Sequence, residues 1–108
     1  MTKALKFETL KSTDVGMIAN GTHLEGYVSA YYHELVAAFG EPTYTSGGDK
    51  TNVEWIIEFG DGEVATIYDW KQYDTPMDLY DWHIGGFNNS IVERVQFVVS
   101  KQQVAKIA

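Results

Sequence analysis

Three histidines, His23, His33 and His83, are the first residues to weigh as chemical groups. No two of them sit at the three- or four-residue spacing that brings side chains together on one helix face, so they do not form a helical metal pair. A satisfied structural role is the reading for His23 and His33. His83 stands apart because Trp82-His83-Ile84-Gly85-Gly86 reads as a strand running into two glycines. Glycines there would permit close backbone approach and bare N–H groups, a suitable wall for an anion or a nucleobase. As a general base His83 would need a carboxylate to orient it, and no spacing identifies that carboxylate. Glu54 and Glu58 share a strand face, but four residues of strand is about 13 Å, too far for paired-carboxylate glycoside chemistry. Asp69, Asp74, Asp78 and Asp81 cluster around residues 71–78 without calcium-loop spacing, and read as a solvated acidic loop. The glycines match neither a Walker sequence nor GxGxxG, and none of Ser12, Ser29, Ser46 and Ser90 sits in a nucleophile elbow. With no cysteine, thiolate catalysis, disulfides and cysteine metal sites are excluded. The expectation is a binding protein rather than an enzyme, with no catalytic residue, no metal and no cofactor.

Composition narrows what such a protein would bind. Eight Lys and Arg face fifteen Asp and Glu, a formal charge of −7, so the basic surface that duplex nucleic acid demands is missing. The acids are dispersed among Lys, Gly and aromatics rather than ranked as a mimic of DNA would need. A small anion is still compatible, since a pocket needs only a few cations and backbone N–H groups. Seven Tyr, five Phe and three Trp exceed what a small core requires, and surplus amphipathic rings commonly serve interfaces or ligand faces. Met1 to Phe7 lacks the apolar run of a signal peptide, and no stretch approaches a membrane span. A cytoplasmic protein is expected, and the sequons at Asn20 and Asn88 carry little weight there.

These groups need elements to hold them. The 108 residues fit one domain, residues 1–108, without repeats or linkers. Residues 3–10 read as a strand, 11–21 as turns, and Thr22 to Val28 as an extended lead into a helix capped by Ser29. Tyr32, Leu35, Val36 and Phe39 form its apolar stripe, and Gly40 with Pro42 ends it. Val53, Trp55, Ile57 and Phe59 alternate along a strand, and Asp61-Gly62 suits a two-residue turn into residues 63–70. That register pairs them with Trp70, Tyr68, Thr66 and Val64 on the face meeting the helices. It sets Ile56 beside Ile67, and Glu54 opposite Asp69, on the other face, where an uncovered apolar pair implies a second subunit. Residues 71–78 read as an exposed loop, and Leu79 to Ile84 as a strand stopping at the glycines. A final helix begins with Ser90 and Glu93 as a capping box and buries Ile91, Val92, Val95, Val98 and Val99. The predicted fold is α+β: an antiparallel sheet of about four to five strands with two helices packed on one face.

Several segments are together characteristic. Gly21-Thr22-His23-Leu24-Glu25-Gly26-Tyr27-Val28 precedes a helix ending Leu35-Val36-Ala37-Ala38-Phe39-Gly40-Glu41-Pro42. Glu54-Trp55, Ile67-Tyr68-Asp69-Trp70-Lys71 and the Trp82–Gly86 pentapeptide follow. From about residue 20 to 99 this order resembles a group of small bacteriophage proteins, and it is similar to the phage anti-CBASS sponges, which sequester cyclic dinucleotide immune signals without cleaving them. The resemblance implies a 3′,3′-linked ligand such as cyclic GMP–AMP, a homo-oligomer such as a tetramer, and action in the infected cell's cytoplasm. For that ligand, Tyr27, Trp70 and Trp82 are the candidate base-stacking rings, and Lys71, Thr22 and His83 the candidate phosphate donors. An acidic neighbourhood is the departure from what phosphate binding favours. Two other readings stand beside it. One is a protein-binding inhibitor of a host defence complex, comparable to an anti-CRISPR, and the other is a small nucleotide hydrolase using His83.

Overall fold

Alternation along residues 53–59 drives one side of a strand into the core, and Val53, Trp55, Ile57 and Phe59 are all buried. The computed structural model describes residues 6–45 and 50–107. Its elements are β1 (Phe7–Thr9), a 3-10 turn (Ser12–Asp14), β2 (His23–Ala30), α1 (Tyr32–Phe39), β3 (Glu54–Phe59), β4 (Val64–Tyr68), β5 (Tyr80–Gly86) and α2 (Ser90–Ile107). The five strands form one antiparallel sheet in the order β1-β3-β4-β5-β2. The expected start of β1 at residues 3–5 lies outside the described residues.

Both helices pack on one face, so the fold is α+β, as expected. Leu35 and Phe39 of α1 and Ile91, Val95 and Val99 of α2 close over Val28, Trp55, Ile57, Ile67, Trp82 and Ile84. Trp55 and Trp82 meet edge to face at 5.7 Å, and each buried indole N–H has a carbonyl: Gly40 O and Ala30 O, both at 2.9 Å. Bonded in this way the rings carry no desolvation penalty for their polar atoms. α1 starts at the β2 edge and reaches the β1 edge, where the Thr9 hydroxyl donates to Phe39 O at 2.6 Å. α2 also guards the outer edge of β2, with Gln96 Nε2 donating to Tyr27 O at 3.0 Å.

Four local expectations are corrected. Ser29 does not cap α1, because β2 continues to the Ala30↔Tyr80 pair; the Ser29 hydroxyl instead bonds Asp81. α1 begins after Tyr31, whose N–H donates to Glu34 Oε1 at 2.8 Å. At α2 the accepting side chain is Asn88, which takes the Ser90 N–H at 3.1 Å, so the cap lies two residues earlier than Ser90. The strand does not stop at Gly85-Gly86: both glycines lie within β5, paired to β4 on one side and β2 on the other. Their N–H groups therefore lie along the sheet's ladders instead of facing a ligand.

The β3–β4 hairpin is the fourth difference, and its loop decides which side chains the site contains. Phe59 N–H donates to Glu63 O at 2.8 Å and Gly62 N–H to Phe59 O at 2.9 Å, with Gly62 at φ 91°. This is a three-residue loop with a glycine bulge, not the two-residue turn. One extra residue reverses the faces of β4. Trp55 pairs with Ile67, Ile57 with Ala65, Ile56 with Thr66 and Glu54 with Tyr68. Ile56 and Ile67 thus lie on opposite faces, and Glu54 does not oppose Asp69. Ile56 is also covered by this chain itself, in a cluster with Leu10, Val15 and Val64 under Ile18 and Ala19. The face needs no second subunit at that point.

Candidate functional site

The reversed β4 brings a second aromatic to the helix-free face. Cross-strand pairing sets Tyr27 of β2, His83 of β5, Tyr68 of β4 and Glu54 of β3 in one transverse row. Tyr27 meets the His83 ring at 4.9 Å edge to face, and Tyr68 lies 5.4 Å from it at 32°. Trp70, just beyond β4, stands edge-on to Tyr68 at 6.3 Å, and its backbone N–H donates to the Tyr80 hydroxyl at 3.1 Å. Tyr27 and Trp70 are 47% and 40% exposed, so the row presents open ring surface at both ends.

Burial sets the electrostatics of this row. It pushes the His83 pKa below the ordinary 6.5, against the opposing charge of Asp69. It pushes the Glu54 carboxyl above 4.5 and the Tyr68 phenol above 10.0, the latter with help from Glu54 and Tyr27. His83 is therefore neutral at neutral pH. Its Nδ1 is buried without a hydrogen-bond partner among the described residues. The arrangement suits stacking against flat ring systems.

Cations gather at the Trp70 end. Lys50 Nζ lies 5.7 Å and Lys71 Nζ 6.0 Å from the Trp70 ring centre. The buried Asp69 carboxylate anchors this corner by accepting Asn52 N–H and Nδ2 at 2.7 Å and Val53 N–H at 3.2 Å. Asp69 is thus a structural acceptor and not part of a solvated acidic loop.

Of the residues singled out by sequence, Tyr27, Trp70, Lys71 and His83 come to this face. Trp82 does not: it is fully buried among the helices, because neighbours on a strand point to opposite sides. Thr22 is also elsewhere, roughly 16 Å of extended chain from Tyr27. Its hydroxyl pins a turn by donating to Ala19 O at 2.8 Å. Tyr68, Glu54 and Lys50 were missed: a two-residue turn puts Tyr68 on the helix side and sets Glu54 opposite Asp69, where the three-residue loop pairs Glu54 with Tyr68. Among the described residues there is no group of three His, Cys, Asp or Glu able to hold a metal, and no helix is long and apolar enough to cross a membrane. A shallow depression of about 420 Å³ at the β1–β3 edge, lined by Lys6, Phe7, Glu8, Glu58 and Phe59, shares only the sheet with the aromatic row.

No protein-family profile matches the chain, and neither a curated protein nor a solved structure matches it.

Proposed function

We propose that the chain binds a cyclic dinucleotide, such as 3′,3′-cyclic GMP–AMP, and sequesters it uncleaved, as a bacteriophage anti-defence protein in the cytoplasm of the infected cell. The observation that carries this reading is the row of Tyr27, His83 and Tyr68 running to Trp70 on the helix-free face, with two lysines at its end. Rings of this kind stack nucleobases at about 1–3 kcal/mol each. A net charge of −7 disfavours a polynucleotide, whose binding rests on neutralising many phosphates, but not a ligand carrying two. A His83 whose Nδ1 has no hydrogen-bond partner among the described residues fits storage better than hydrolysis. Homo-oligomerisation belongs to this reading too. With Ile56 covered by its own chain, the 70–79 segment is the surface it would use.

The test is a thermal-shift series against cyclic di- and trinucleotides, with the ligand recovered after heating and identified by chromatography. A ligand at 100 times its dissociation constant adds about 2.7 kcal/mol, a rise of roughly 10–20 °C in a domain this small. A shift with intact nucleotide released supports a sponge. Altered nucleotide would make the protein an enzyme, and no shift across the series refutes the proposal.

One observation favours a second reading, a protein-binding inhibitor of a host defence complex. Tyr73 is 97% exposed, Met77 64% and Leu79 59%, together on one acidic loop. Aromatic and Met side chains are enriched at protein interfaces. Under this reading nucleotides leave the melting curve unchanged, and Tyr73→Ala abolishes capture of a host protein.

A further inference from the structure

We infer that Lys50 and Lys71 form an oxyanion subsite beside Trp70, which holds a phosphate of the ligand whose base lies on the aromatic row. In naming a phosphate this rests on the proposed function; the anion site itself rests on geometry. Two of the eight basic residues of an acidic chain converge on one indole from positions 21 residues apart. Like charges converge at a cost unless something holds them there. Here the two main chains are tied together: Lys71 N–H donates to Lys50 O at 2.8 Å, and Asn52 Nδ2 to Gln72 O at 3.0 Å, while Asn52 is fixed on buried Asp69.

Lys71 also sits at φ 55°, the one residue other than glycine with a positive φ among the described residues. Backbone strain of this kind persists only where surrounding structure enforces it, and it tends to mark functional positions. The ion pairs among the described residues are His23–Glu25 and Arg94–Asp61, so neither lysine is neutralised by one of their carboxylates. Asp69, the nearest acid in sequence to Lys71, already accepts three N–H bonds. Two ammonium groups within 6.0 Å of the Trp70 ring centre, neither in an ion pair among the described residues, match an oxyanion next to a planar base. Lys50 and Lys71 supply the charge, and the ring row supplies the stacking.

The site can be tested without its ligand because Trp55 and Trp82 are fully buried and Trp70 is 40% exposed. Collisional quenching of tryptophan emission therefore reports on Trp70. Iodide should be concentrated there and neutral acrylamide should not. The Lys50→Gln/Lys71→Gln double variant should lower the iodide Stern–Volmer slope by about two-fold or more, as local fields focus ions, and leave the acrylamide slope unchanged. Lys71→Gly should reduce iodide quenching while raising the melting temperature, since glycine relieves the positive φ. That pair of changes separates the lost charge from a damaged fold. An iodide slope that ignores both lysines overturns the inference, whatever nucleotides do. If 3′,3′-cyclic GMP–AMP binds, the double variant should weaken it about ten-fold or more and flatten its salt dependence, while adenosine is unaffected. Unchanged cyclic GMP–AMP affinity in the double variant refutes the phosphate assignment and leaves the proposed function standing. Lysine-dependent iodide quenching with no nucleotide bound upholds the anion subsite and removes the proposed function.

Discussion

Replacing Gly85 with alanine tests the packing logic of the helix-free face directly. A Cβ at Gly85 would lie 2.4 Å from Thr66 Oγ1, 3.5 Å from His23 O and 3.6 Å from Tyr68 Cε1. Only the first contact is a collision, and Thr66 at 3% exposure has little room to withdraw. Overpacking of this kind costs about 1–3 kcal/mol, offset by roughly 0.5–1 kcal/mol from removing a glycine's unfolded-state freedom. The net loss of about 1–2 kcal/mol should lower the melting temperature by roughly 5–15 °C. Thermal and urea melts of four proteins decide it: wild type, Gly85→Ala, Thr66→Ala and the double variant. Thr66→Ala removes the colliding atom, so the two changes should be non-additive by about 1 kcal/mol or more in the rescuing direction. Gly40→Ala is the control. Its Cβ meets nothing within 4 Å, yet φ is 82°, so its cost is a backbone cost that Thr66→Ala cannot relieve. A Gly85→Ala variant within about 0.5 kcal/mol of wild type, or strict additivity with Thr66→Ala, would refute the reasoning.

Four further outcomes follow from the same face. Glu54→Gln should stabilise the protein near neutral pH and lose that advantage near pH 4: burial raises the folded pKa above 4.5, so stability falls as pH rises through it, as denaturant melts at several pH values will show. His83 has the opposite sign. Its folded pKa lies below 6.5, so the unfolded chain binds the extra proton, stability falls as pH drops beneath 6.5, and His83→Phe should flatten that slope. Asp69→Ala strands three N–H donors and should cost about 2–4 kcal/mol in urea melts, with Asp69→Asn recovering part of it. Tyr27→Ala should change stability by less than about 1 kcal/mol, being half-exposed, but weaken a bound cyclic dinucleotide by about 1–3 kcal/mol in titration calorimetry.

Which of these features could be read from sequence depends on how local their cause is. The burial of Leu35 and Phe39, and of Ile91, Val95 and Val99, follows from helical periodicity within one segment. The burial of Val53, Trp55, Ile57 and Phe59 likewise follows from period two within one strand. The face of β4 does not. It depends on whether Gly60-Asp61-Gly62 closes the hairpin with two residues or three, and Asp61-Gly62 favours two when read alone. The structure takes three, with Gly62 as the bulge and Asp61 held by Arg94 of α2 at 2.7 Å, a contact 33 residues away. Tyr68 therefore appears on the open face only when tertiary contacts are known. Lys50 reaches Trp70 for the same kind of reason, through the Asn52–Asp69 bonds.

Trp82 and His83 can be assigned to opposite faces from the sequence alone. Both were candidates for one ligand surface, yet adjacent residues of a strand face opposite sides, so β5 can offer only one of them to a given face. The strand's own pattern decides which. Tyr80, Trp82 and Ile84 share one parity and Asp81, His83 and Gly85 the other. The first set is the more apolar and belongs under the helices, where Trp82 packs on Trp55 and bonds Ala30 O. The second set belongs to the open face, and so His83, with Tyr27 and Tyr68 beside it, is the member of the pair a ligand can approach.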